Sequence, residues 1–148
     1  KIKMERFNVI KNTVITTIAI IGSGIANALG GFDVALQVLV GFMAVDYITG
    51  LVVAGVFKKS GKSENGALES RAGWKGLCRK MMTLVMVYIA TQLDRLTGTS
   101  FIRDAVIIGY IANEALSILE NAGLMGLPVG KALTNAIDVL KKKAEESE

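Results

Sequence analysis

Residues 34–57 read VALQVLVGFMAVDYITGLVVAGVF, 24 residues in which Asp46, close to the middle, is the only charge. At about 1.5 Å of rise per residue, a helix of that length covers the roughly 30 Å hydrocarbon core of a bilayer. A carboxylate at mid-bilayer costs about 2.5–3.5 kcal/mol on insertion scales. Asp46 therefore needs a partner helix or water, with Tyr47, Thr49 and Gly50 beside it. Two readings stay open. Asp46 lines a hydrated path or subunit interface, or it is hydrogen-bonded inside a monomeric bundle and fixes helix packing.

Upstream, Asn12–Phe32 is another uncharged run of 21 residues, densest at Val14–Leu29. Gly22, Gly24, Ala26 and Ala28 give it small residues at four-residue spacing, which lets helix backbones approach closely in lipid. Only Gly30, Gly31, Phe32 and Asp33 separate the two segments, so a tight antiparallel hairpin is expected. A cleaved signal peptide also has a basic start and a triplet like Ala26-Asn27-Ala28. The continuing apolar sequence argues against it.

Downstream, Met81–Leu93 holds 13 uncharged residues and reaches spanning length if Leu77–Lys80 and Asp94–Leu96 lie at the interfaces. Ala105–Leu119 carries Asn113 and Glu114. The expected fold is all-α and integral to a membrane. About four spans are predicted, near 12–32, 34–57, 77–96 and 103–122, in two antiparallel hairpins. A three-span or re-entrant arrangement is the competitor. Residues 1–126 then form a transmembrane domain, and 127–148 a charged, amphipathic cytoplasmic tail. The connection at 58–76 reads as a loop leading to a short interfacial helix near Trp74.

Charge placement supports this layout. Of 17 Lys and Arg, four precede the first apolar run (Lys1, Lys3, Arg6, Lys11) and seven lie between Lys58 and Lys80. Four more follow the last run (Lys131, Lys141, Lys142, Lys143), leaving Arg95 and Arg103 in one short connection. Putting both termini and the 58–76 connection in the cytoplasm satisfies the positive-inside rule, and that requires an even number of crossings. Arg79, Lys80 and Lys141–Lys143 are expected at the inner membrane surface. Asp94/Arg95 and Arg103/Asp104 are expected as solvated pairs at the outer rim, worth little.

Composition removes most enzyme classes. The 148 residues are 51% hydrophobic and 20% charged, with a mean hydropathy of +0.47. With no histidine, the commonest general base and His-activated nucleophiles are missing. The single Cys78 allows no intramolecular disulfide. No metal-ligand cluster or cofactor motif is present. Gly126–Lys131 only faintly resembles a phosphate loop, with Ala132 where a hydroxyl is required. Gly22-Ser-Gly24 has Asn27 where a dinucleotide fingerprint needs glycine. Nucleic acid is not an expected partner, because the net charge of +4 punctuates apolar segments instead of forming a recognition face.

Two polar features remain. Glu114, Ser117 and Asn121 share a stripe on the last apolar segment, able to line a pore between subunits or to pair with Asp94/Arg95 or Arg103. In the tail, Val129, Leu133, Ile137 and Leu140 recur at helical spacing, giving an amphipathic helix for the membrane surface or a partner helix. The last four residues, Glu145–Glu148, are expected to fray.

Three blocks carry a family resemblance: Asp46-Tyr-Ile-Thr-Gly50, Gly73-Trp-Lys-Gly-Leu-Cys-Arg-Lys80, and Tyr110-Ile-Ala-Asn-Glu-Ala-Leu-Ser-Ile-Leu-Glu-Asn121 continuing to Gly126-Leu-Pro-Val-Gly130. In these the chain resembles the phage lysis holins of the group that includes the clostridial toxin-secretion holins. The resemblance implies a bacterial inner-membrane protein that accumulates, then self-associates into lesions passing a muralytic endolysin or a toxin, without binding it directly. The rival expectations are a small ion or solute transporter using Asp46 and Glu114, and an assembly subunit whose tail recruits a soluble partner.

Overall fold

The computed structural model describes residues 2–146 and is helical: α1 (Ile2–Ala28), α2 (Val34–Val52), α3 (Ser70–Thr97), α4 (Phe101–Leu124) and α5 (Lys131–Glu145). The side chain of Leu140 and residues Lys1, Ser147 and Glu148 lie outside the described residues, and with them part of the expected frayed end. Helices α1 and α2 (the latter with the π-helical turn Val53–Phe57 that extends it) are long and apolar enough to cross a membrane. At 28 and 24 residues, α3 and α4 are also long, about 42 and 36 Å.

The core lies between α2, α3 and α4. Along α2 the buried residues are Leu36, Leu39, Met43 and Asp46, a three-four spacing that keeps one face inward. They meet Val87 of α3 and Ile107 of α4, with Leu84, Val106, Tyr110 and Ile111 packed around them. Helix α4 is central, lying against α2, α3 and α5, whereas α2 and α3 touch little. Helix α5 starts after Val129, not before it, and buries Ile137. Leu133 of the expected apolar face is exposed.

Helix α1 does not pack along α2 as the expected tight hairpin would. Residues 3–25 of α1 are exposed along their whole length. Apolar residues on every side give α1 no single face to bury in the bundle. Two of its hydroxyls bond within the helix, Thr13 donating to the Val9 carbonyl and Thr17 to the Thr13 carbonyl, both at 2.9 Å. The helix ends in a Schellman turn: Gly31 N–H reaches the Ala26 carbonyl at 2.8 Å and Gly30 N–H the Asn27 carbonyl at 3.1 Å. Gly30 and Gly31 take φ of +87° and +107°, which a side chain rarely allows. Asp33 then caps α2 by accepting from Leu36 N–H at 2.9 Å.

The stretch around Trp74 is not a separate interfacial helix. It is the beginning of α3, which runs unbroken from Ser70 because nothing between Arg71 and Lys80 stops a helix.

Candidate functional site

Two buried polar clusters lie in the α2–α4 bundle, one at an end and one nearer the middle. At the end where the α1–α2 and α3–α4 turns meet, Arg103 of α4 is buried. Its Nε donates to the Leu29 carbonyl at 2.6 Å and Nη2 to the Gly31 carbonyl at 3.1 Å. The same guanidinium forks onto Asp33, Nη1 to Oδ2 at 2.7 Å and Nη2 to Oδ1 at 3.2 Å. This hydrogen bonding from Arg103 is the main reason the Asp33 carboxyl is held below its usual range. Arg95 donates to the Asn27 carbonyl at 2.8 Å, so cations from α3 and α4 gather at the negative end of α1.

Asp94, on the last turn of α3, accepts from the α4 backbone at Ile102 N–H (3.1 Å) and Arg103 N–H (2.8 Å), and from the Thr99 hydroxyl at 2.6 Å. It thus supplies acceptors that Ser100 fails to provide as an N-cap. These findings correct the expectation of solvated rim pairs: Asp94 and Arg103 are both buried, because each answers backbone groups that a tight turn leaves unpaired.

Nearer the middle, Lys80 of α3 points inward between two acids, its Nζ 2.8 Å from Asp46 Oδ2 on α2 and 2.5 Å from Glu114 Oε2 on α4. The side chains are only 12% exposed for Lys80 and 8% for each acid. Lys80 is therefore not at the inner surface as expected; a cation was needed where two carboxylates face each other. Glu114 likewise pairs with Lys80 and not with Asp94, Arg95 or Arg103. Asn121, two turns beyond Glu114 on the same face of α4, donates to Asp46 Oδ1 at 3.1 Å and to the Thr49 hydroxyl at 2.9 Å. Within the chain Asp46 is thus bonded to both Lys80 and Asn121.

The remaining expected residues divide. Gly50 lies opposite Asn121, and Tyr47 extends to α3, its hydroxyl 3.5 Å from the Gly73 carbonyl. Ser117 is half-buried and Asn113 exposed, both lining a cavity of about 360 Å³ between α2, α3, α4 and the 58–69 connection. Arg79 is exposed and borders that cavity, and Lys141, Lys142 and Lys143 are exposed on α5. Gly22 and Gly24 face open space, with no atom within 4 Å of a Cβ placed there, and Ala26 and Ala28 are half-buried near the turn. Among the described residues no group of three His, Cys, Asp or Glu could hold a metal ion.

Two signals were available for what the sequence reading missed. Two acids in apolar segments imply a counter-ion, and Lys80, at the edge of the third segment, stood within a helix turn or two of that depth. Asp94 stood one short turn before the start of a helix that lacks a side-chain N-cap.

Comparison with known proteins then places the chain. Residues 23–142 match the bacteriophage holin family. The chain is 42% identical over 120 residues to an uncharacterised protein of Listeria monocytogenes, covering 80% of each. It is 36% identical over 116 residues to an uncharacterised 14.9 kDa protein of Clostridium perfringens, covering 77% of this chain and 82% of that one. A probable holin of Bacillus phage phi105 is 31% identical over 103 residues, 69% of this chain and 70% of its own. No solved structure matches. The match covers α2, α3, α4 and most of α5 together with both polar clusters, and on that basis the chain belongs to the bacteriophage holin family.

Proposed function

We propose that the protein is a holin that self-associates in the bacterial inner membrane and opens lesions through which a muralytic endolysin or a toxin passes. The observation that carries this reading, in a chain of this family, is the Asp46–Lys80–Glu114 triad. It joins α2, α3 and α4 of one copy through side chains alone. Such partners are exchangeable: the same groups, turned toward another copy or toward water, make a hydrated wall.

In the proposed topology α1 to α4 cross the membrane with both termini in the cytoplasm. Two facts support it. The turns at Leu29–Asp33 and Gly98–Ser100 meet at one end, as the Arg103 bonds require. The cations Lys58, Lys59 and Lys62 belong to the connection at the other, followed by Arg71, Lys75 and Arg79 on the first turns of α3. Helix α1, with no face buried in the bundle, is available for lipid or for further copies, and Gly22, Gly24, Ala26 and Ala28 would lie at such contacts. Arg79 and Lys141–Lys143 meet the anionic inner leaflet at about 1 kcal/mol per nearby cation, which restrains the resting state.

The test is co-expression with a cytosolic muralytic enzyme that lacks an export signal. Abrupt loss of culture density with release of a cytosolic reporter, dependent on both proteins, is expected. Intact cells with the protein in their membranes would contradict the proposal and favour selective ion or solute transport through the Asp46/Glu114 region.

A further inference from the structure

The cavity beside the triad has a charge pattern that the triad itself does not explain. Its floor holds Asp46, Glu114 and Lys80, formally one negative charge in excess. Glu114 Oε2 is taken by Lys80, but among the described residues Glu114 Oε1 accepts no hydrogen bond. The cavity is the space from which a donor can reach that oxygen. Ser117 and Asn113 lie beside it as neutral hydrogen-bonding groups. At the mouth the balance reverses, with Lys62 and Arg79 against Glu69. The outer wall is apolar and open: Met82 lines the cavity while remaining exposed, and Leu77 and Met81 are exposed on the same helix, near Trp74. At about 360 Å³ the cavity falls within the range of small-molecule sites.

We infer that this cavity binds the headgroup of an ethanolamine phospholipid. The primary ammonium enters to donate to Glu114 Oε1, the phosphate stays at the mouth on Arg79 and Lys62, and the acyl chains lie along Leu77, Met81 and Met82. Floor and mouth carry opposite excess charges, so a zwitterion with its cation inward fits both. A glycerol headgroup offers the floor no cation, and a quaternary ammonium has no N–H to donate. This site depends on the membrane insertion proposed above, with the 58–69 connection at a headgroup layer, and does not depend on lesion formation.

The test uses the full chain extracted from washed membranes, so that insertion is read separately from binding. Native mass spectrometry then follows retention of phosphatidylethanolamine, phosphatidylglycerol and phosphatidylcholine offered at equal concentration. Phosphatidylethanolamine should be retained about tenfold over the others, the worth of one hydrogen bond to a charged group. Glu114→Gln should erase that preference. Ala72→Phe, which fills the cavity from the α3 wall without touching the triad, should abolish retention. Equal retention of the three lipids, preference for phosphatidylglycerol, or unchanged retention in Ala72→Phe would overturn the inference. Displacement by equimolar free phosphoethanolamine would assign the site to a soluble headgroup compound and overturn the lipid assignment.

Discussion

The two polar clusters use the same chemistry, a cation between acids and amides, and differ in what the cation answers. Arg103 bonds two backbone carbonyls and a half-exposed Asp33, while Asp94 answers two backbone N–H groups. Those backbone groups exist in any state that keeps the turns, so the cluster works as a latch. Lys80 answers only Asp46 and Glu114, beside a cavity, with Asn121 completing the set. Remove all three charges and no backbone group is orphaned by the loss of Lys80. The Arg103 cluster is tied to backbone groups, whereas the triad is tied to side chains alone.

The largest expected effect comes from breaking either cluster at its cation. Lys80→Met leaves two buried carboxylates facing each other and should cost about 3–5 kcal/mol, as should Arg103→Ala, read by thermal unfolding in detergent. The comparison sharpens when the partners are neutralised as well. Asp46→Asn with Lys80→Met and Glu114→Gln should recover most of the stability lost in Lys80→Met. Arg103→Met with Asp33→Asn should not recover it, because the Leu29 and Gly31 carbonyls stay unpaired. Equal recovery at both clusters would erase the distinction.

Gly30→Ala should come next, at about 1–3 kcal/mol for a strained left-handed residue. Its Cβ would lie 2.6 Å from Arg103 Nε, so the substitution presses on the latch directly. Unfolding of this single variant checks it. Gly22→Ala, in open space with ordinary helical φ, should cost nothing and serves as the control.

The smallest effect is one of pH. Arg103 lowers the folded-state pKa of Asp33 below its ordinary 3.8. Its contribution to stability is therefore complete above the unfolded value and lost as pH falls through the lowered folded value. Asp33 is half exposed, so the contribution is modest. Unfolding measured from pH 5 downward should show a slope that Asp33→Asn reduces.

Much of this was legible before any coordinates. The apolar runs at 14–29 and 34–57 became α1 and α2, and the i, i+7 spacing of Glu114 and Asn121 put both on the face that meets Asp46. What escaped was partner choice. Periodicity tells which residues share a face, and charge counting tells that Asp46 and Glu114 need a counter-ion. Neither tells that α4 sits between α2 and α3, which is what brings Lys80 inward and leaves α1 outside. The hairpin expectation failed for a related reason. A short Gly30-Gly31 connection permits an antiparallel return but does not pack α1 along α2, and the turn itself is held by Arg103, a residue more than 70 positions away.

The central claim is that the triad's charges are held within one copy at rest and face new partners or water in the lesion. It is tested most directly by reporter release from cells carrying the muralytic enzyme and the Asp46→Asn, Lys80→Met, Glu114→Gln variant. The account predicts that the variant accumulates in the membrane like the parent chain but fails to release the reporter. Release on the parental schedule, at equal membrane abundance, would contradict it.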